Sequence, residues 1–418
     1  MEKINSSIAS CCLGNILEWY DFGLFAIFSS LFSQLFFNTK DSHLALIATL
    51  GIFTIGFISR PIGALIFGYL GDKKGRAKTI RLSILMISLP TLLIGILPTY
   101  QHIGIAAPIF LLLIRIWQGI SIGGEYGGNL IYLGETAPKK YRATVVSLAS
   151  MGSNIGLLLA TLVGMVTINF LSDDFLRSWG WRIPYFLSGF FSIIIYIFRL
   201  KIKETDIFEN LKAKHQLSDN PIKTVVTKNI PQLLRTLGLV CMGSTFYYFC
   251  FIYLPLYLNK NLYFSMRDVA TLQSVLITLM IILVPCAGLL CDKIGRRKML
   301  LFNASLITVA IIPGFYLLQW SSMTFYVLAI FTIFSSLEQG TTPVALVENF
   351  PHPARYTGIS LGYNLGNGFL GGTVPLVVEW LAYRTHFLLA PAFYISFCAA
   401  ITLLVAFFFV PKRIPSSC

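Results

Sequence analysis

Twelve apolar runs, each long enough to cross a bilayer as a helix, dictate what this chain can become. A helix needs about 20 apolar residues to span the hydrocarbon. The sequence offers runs at 11–37, 44–70, 79–99, 105–134, 142–171, 182–200, 233–258, 269–290, 299–318, 323–347, 356–382 and 387–410. Strands of a membrane barrel would alternate in character over half that length, and these runs do not. The expectation is an all-α membrane protein of twelve transmembrane helices. Composition agrees: 56% hydrophobic and only 12% charged residues leave too little polar surface to cover a water-soluble globule. The net charge of +14 comes from short clusters between the runs, without interleaved aromatics, which speaks against a nucleic-acid partner.

The basic residues orient the spans. Placing both ends and every second connection on one side gathers 24 Lys and Arg there, among them Lys3, the 73–81 cluster and Lys412 with Arg413. The other side keeps Lys40, Arg177, Arg182, Lys260, Arg267 and Arg384. The positive-inside rule then puts both termini in the cytoplasm. No small-residue cleavage site follows the first run, which reads as a retained span and not a removed signal. The eight Cys show no metal spacing, the five His fall in loops or at helix ends, and no HExxH occurs, so no metal site is expected.

The two halves repeat. "GYLGDKKGRAK" (68–78) returns as "GLLCDKIGRRK" (288–298), and "ETAPKKYRATVVSLASMGSNIG" (135–156) as "ENFPHPARYTGISLGYNLGNGF" (348–369). This divides the chain into a six-helix bundle at 1–200, a polar linker at 201–231 and a second bundle at 232–418. Parallel six-helix repeats place a substrate site between them near the membrane midplane, exposed alternately as one half rocks on the other.

With these motifs in view, the sequence resembles the major facilitator superfamily, and within it the metabolite:proton symporter group that includes bacterial proline/betaine transporters. "GDKKGRAK" looks like the superfamily's loop between helices 2 and 3. "GNILEWYDF", "RPIGALIFGYLGD" and "RIWQGISIGGEYGG" look like the subgroup's helix 1, 2 and 4 signatures. The resemblance implies a monomeric secondary transporter of the bacterial inner membrane, not an enzyme. Its partners would be lipid, protons and a small molecule, with no cofactor beyond the proton gradient. Osmosensing members carry a long coiled coil past the last span, whereas this sequence ends at "PKRIPSSC", which points away from osmotic gating.

Candidate functional residues follow. Glu18 and Asp21, three apart on one helix face, are acids in an otherwise oily run, where an ionised carboxylate costs about 2.5–3.5 kcal/mol on insertion scales. In the implied fold this face looks into the central cavity, where the acids would load and release a proton. The resemblance to sugar porters pairs Asp21 with Arg115; Arg60 is the other candidate partner. Glu125 is either a proton or cationic-substrate site or the structural partner of an Arg such as Arg60. Tyr20, Gln118, Asn154, Tyr247, Glu338, Gln339, Asn364 and Asn367 are candidate substrate contacts, a mixed polar and aromatic set suited to a small zwitterion or organic acid. Gly68, Asp72, Gly75, Arg76 and Arg142, with Asp292, Gly295, Arg296 and Arg355, form a candidate cytoplasmic latch. There each Asp would sit against a neighbouring helix N-terminus and against Arg142 or Arg355. The expected activity is proton-coupled import of an amino acid or proline/betaine-type osmolyte. Organic-acid symport, export and nutrient sensing are the rivals, and the run at helix 5 lacks the Pro of exporter signatures.

Overall fold

The computed structural model describes residues 2–39 and 41–411. Lys40, Lys412 and Arg413, counted in the charge asymmetry, lie outside them. The spans are α1 (Glu2–Ile27), α2 (His43–Lys74), α3 (Arg76–Ile96), α4 (Ala106–Thr136), α5 (Arg142–Phe170) and α6 (Ile183–Leu200) in the first half. The second half holds α7 (Ile230–Leu262), α8 (Met266–Ile294), α9 (Arg296–Leu317), α10 (Ser321–Asn349), α11 (Arg355–Leu365, resuming at Val374–Thr385) and α12 (Ala390–Phe409). Each expected run therefore falls on a helical segment.

Two departures from straight helices matter. After α1 the chain bends by 64° into Ser29–Phe36, so the first run is two helical pieces and not one straight helix. In the second half, α7 widens into a π-helical segment at Phe249–Tyr253 and α11 into another at Gly366–Gly371. Such single-turn widenings of an α-helix concentrate at functional sites.

The surface is inverted relative to a soluble protein. Leu44, Ile47, Phe190, Ile193, Leu376 and Phe408 point outward, while Asn15, Asp21, Glu125, Arg199 and Asn303 are buried. Backbone groups are satisfied within helices, as hydrocarbon requires. Close approach inside the first half depends on glycine: a Cβ at Gly63 would collide with the backbone of Ile120, and one at Gly123 with that of Arg60 and Ala64. The glycines of α4 therefore let its backbone lie against α2.

Between the halves, α2 packs on α11 and α5 on α8, the pseudo-symmetric pairs expected of two parallel repeats. The linker carries two short helices, Asp206–Ala213 and Pro221–Lys228. Its first residues are fastened down and do not hang free. Arg81 Nη2 donates to the Ile202 carbonyl and the Tyr132 hydroxyl to that of Lys203, both at 2.8 Å, and Phe208 is buried.

Candidate transport site

At the linker end of the bundles the two repeats close on each other through carboxylates at helix N-termini. Asp72, at the end of α2, accepts from the backbone N–H groups of Tyr356 (3.1 Å) and Thr357 (2.9 Å) at the start of α11. Asp292, at the end of α8, accepts from Ala143 (3.0 Å) and Thr144 (2.9 Å) at the start of α5, and from the Thr144 hydroxyl. Each carboxylate meets unpaired N–H groups and the positive end of a helix dipole. Both turns that follow need positive φ: Gly75 has φ 115° and Gly295 φ 98°, conformations that cost other residues steric strain. Gly68 lies against Thr357 across the same seam.

The arginines take partners beyond the aspartates. Arg76 bridges Asp72 (3.5 Å) and Glu135 (3.4 Å), and Glu135 also meets Arg355 (3.5 Å). In the second repeat, Arg296 bridges Asp292 (3.1 Å) and Glu348 (3.2 Å), and Glu348 meets Arg142 (3.3 Å). Arg142 and Arg355 thus pair with Glu348 and Glu135 across the seam. Those two glutamates were visible as aligned repeat positions and were missing from the candidate set. So was Glu204 of the linker, whose carboxylate accepts from the N–H groups of Arg76 (3.0 Å) and Ala77 (3.2 Å). Burial pushes the Glu204 carboxyl above its ordinary range, against the pull of these amides and of Arg76.

Above the seal, a cavity of about 60 Å³ lies between the halves. Asn154, Tyr247, Glu338, Gln339 and Asn367 line it, joined by Trp19, Tyr126, Tyr363, Ser150, Ser153 and Ser244, which sequence reasoning missed. Asn154 Nδ2 donates to Gln339 Oε1 across the seam at 2.8 Å, and Ser244 Oγ donates to Asn367 Oδ1 at 3.1 Å. Tyr126 stacks on Tyr363 with centroids 4.7 Å apart, and Trp19 meets Tyr247 edge-on at 6.0 Å. Glu338 is buried and takes part in no ion pair among the described residues.

Three expected substrate contacts lie elsewhere. Tyr20 donates to the Pro184 carbonyl at 3.3 Å, Gln118 belongs to a network inside the first half, and Asn364 Nδ2 donates to the carbonyls of Gly123 (2.9 Å) and Ser360 (2.7 Å). The Asn364 bond crosses the seam and serves the packing of α11 on α4 instead of the cavity.

The acidic face of α1 also departs from expectation. Asp21 points into the first bundle, where Thr91 of α3 and Ser188 of α6 donate their hydroxyls to its two oxygens. The residue that reaches the cavity is Trp19. Asp21 and Arg115 do not form a direct pair. They are joined by a relay: Arg115 Nη1 donates to Gln118 Oε1 at 2.7 Å, Gln118 Nε2 to Thr91 Oγ1 at 3.0 Å, and Thr91 to Asp21. The Arg115 guanidinium lies 4.3 Å from the Phe25 ring centre, and that of Arg60 lies 4.4 Å from Phe57, so aromatic faces hold both cations. Glu18 is buried within electrostatic reach of Arg60, with one oxygen lacking a hydrogen-bond donor.

Glu125 has a different partner from the one expected. Arg199 of α6 meets it with both terminal nitrogens, and Ser83 and Asn129 donate as well. Arg60 is not among its contacts. Arg199, at the border of the α6 run and the basic linker, is fully buried.

Comparison with known proteins decides the family. The model described as Major Facilitator Superfamily matches residues 11–374. A putative proline/betaine transporter of Staphylococcus aureus (strain MSSA476) is 35% identical over 97% of this chain and 88% of its own. The chain belongs to the major facilitator superfamily. The proline/betaine transporter of Salmonella typhimurium is 33% identical over 96% of this chain and 82% of its own. Among solved structures, the proton:xylose symporter XylE bound to 6-bromo-6-deoxy-D-glucose superposes with a TM-score of 0.81 at 16% identity, covering 98% of this chain and 96% of that one. The E. coli fucose:proton symporter FucP gives 0.72 at 14% identity, covering 96% and 98%. This superfamily member is a multi-pass secondary transporter that handles a small molecule and is not an enzyme.

Proposed function

We propose that the chain is a proton-coupled importer of an amino acid or proline/betaine-type osmolyte, working as a monomer by alternating access in a bacterial inner membrane, with both termini cytoplasmic. The observation that carries the reading is the lining of the seam cavity: four aromatic side chains, several hydroxyls and amides, and one carboxylate, with no Lys, Arg or His. A di- or tricarboxylate would meet an acid where it needs a cation, so organic-acid symport is disfavoured. The names of the relatives support the same substrate class.

Proton coupling falls to the buried acids of α1, acting through packing and not by touching cargo. An ionised Asp21 holds two hydroxyls as an acceptor; a protonated one becomes a donor on one oxygen and must release or reverse one of those bonds. Thr91 then re-orients, and Gln118 and Arg115 follow, so one proton resets the contacts of α1, α3, α4 and α6. Glu18 is the second titrating candidate, beside Arg60. Rocking about the α2–α11 and α5–α8 seams would carry that change to the Asp72 and Asp292 seals. In proteoliposomes, Asp21→Asn and Arg115→Ala are expected to abolish accumulation of radiolabelled proline or betaine driven by a pH gradient, while exchange of labelled for unlabelled substrate survives. Wild-type accumulation by both variants would refute the coupling role.

A further inference from the structure

Two buried polar groups in the seam cavity stand out, and they differ in kind. Glu338, halfway along α10, offers carboxylate oxygens and takes part in no ion pair among the described residues; the Thr342 hydroxyl one turn on interacts with it. Asn367, inside the π-helical segment of α11, has its Oδ1 occupied by Ser244, while its Nδ2 makes no hydrogen bond of normal geometry. Asn367 is 4% exposed and Glu338 9%, so bulk water compensates neither. The Tyr248 hydroxyl stands beside that amide and, like it, makes no hydrogen bond of normal geometry. One end of the cavity therefore holds a carboxylate with no cation, and the other an amide donor with no well-placed acceptor.

We propose that the cavity is a zwitterion site of fixed polarity. The ammonium end of the substrate seats against Glu338 among the rings of Trp19, Tyr126 and Tyr247, and its carboxylate accepts from Asn367 Nδ2. The inference rests on the proposed function and adds to it the residues and the orientation. Aromatic faces attract a methylated ammonium that has no N–H to donate, and a carboxylate supplies the opposite charge. A secondary ammonium can also donate to Glu338 directly. At the other end, a neutral amide donor can bind a carboxylate without an arginine clamp, which suits a cargo that must be released after each cycle. The widened turn at Gly366–Gly371 sets the Asn367 amide out of regular helical register. The polar group at each end lies on the second half, on α10 and α11, while Trp19 and Tyr126 of the first half close the aromatic side.

Isothermal titration of the purified full chain in lipid nanodiscs tests this with four probes: L-proline, glycine betaine, choline and 3,3-dimethyl-1-butanol, the uncharged carbon analogue of choline. Wild type is expected to bind choline at least about tenfold more tightly than the neutral analogue. Glu338→Gln is expected to weaken betaine and choline by about tenfold or more, with Glu338→Asp recovering part of the loss. Asn367→Ala is expected to weaken betaine about fivefold or more while choline, lacking the carboxylate, changes less than about twofold. Equal binding of choline and its neutral analogue by wild type overturns the proposal without reference to any variant, which covers the case of a Glu338 variant that does not fold. Unchanged betaine binding in Glu338→Gln, or equal loss of betaine and choline in Asn367→Ala, overturns it as well. If wild type binds neither proline, betaine nor choline, the substrate class in the proposed function fails. If it binds them and the variants behave alike, only the polarity assigned here fails.

Discussion

Removing Arg199 while leaving Glu125 in place separates a structural acid from a proton carrier. Both side chains are fully buried. Glu125 is held by two arginine nitrogens plus Ser83 and Asn129, and Arg199 also donates to the Ile80 carbonyl at 2.5 Å. Arg199→Leu takes away both charged donors and leaves an ionised carboxylate with two neutral ones in a low-dielectric bundle. Breaking a buried pair from one side costs about 3–5 kcal/mol, whereas replacing both partners with neutral groups is often close to neutral. The expectation is a large loss of thermal stability in detergent for Arg199→Leu, a comparable loss for Glu125→Gln, which strands the arginine, and recovery of most of it in the double variant Glu125→Gln with Arg199→Leu. Thiol-independent thermal unfolding and retained monodispersity on size exclusion report it. The same double variant, reconstituted, should still accumulate substrate. Single variants as stable as wild type would refute the assignment, and a stable double variant dead for pH-driven uptake would make Glu125 part of the coupling machinery.

The remaining predictions concern the seal and the helix contacts. Asp292→Asn weakens charge-assisted bonds to the Ala143 and Thr144 amides; a loss of about 1.4 kcal/mol of closure raises the open population tenfold. The rate at which a maleimide labels Ser147→Cys, at the α5–α8 seam of a cysteine-free background, should rise accordingly. Gly123→Ala forces α2 and α4 apart at a backbone contact and should cost stability and expression well beyond the roughly 0.5 kcal/mol of an ordinary surface change. Glu204→Ala removes the acceptor for the Arg76 and Ala77 amides and should lower the melting temperature by the equivalent of about 0.5–2 kcal/mol. Because burial raises the Glu204 pKa in the folded chain, folding penalises its charged form. Its contribution is full at low pH and falls as pH rises through the folded value, so Glu204→Gln should gain on wild type toward neutral pH.

Much of the architecture was legible because hydrocarbon imposes strict rules: run length gave the spans, and internal similarity gave the two bundles. The seal was legible too, since an acid closing one helix before a positive-φ glycine has few places to go except the next helix end. The facing of α1 was not. Spacing puts Glu18 and Asp21 on one side of a helix, but a rotation of about 100°, one residue, decides whether that side meets the cavity or α3 and α6, and it is Trp19 that meets the cavity. Arg199 was hidden by its position at the border of an apolar run and a basic linker, where charge counting assigns it to the loop. The widening at Gly366–Gly371 leaves no periodic trace that a single sequence can show, so Asn367 could be nominated but its free donor could not.

The fastened start of the linker limits how far the two bundles can part at the linker end. With Phe208 buried beside the first seal, and Pro221–Lys228 running almost directly into α7, the connection between the two linker helices is the seven residues from Lys214 to Asn220, where Lys73 of α2 also holds the Asp219 carbonyl at 2.8 Å. Stretched fully, such a tether reaches about 25 Å. It works as a check strap: the gate can swing only to that limit unless the strap's own anchors let go.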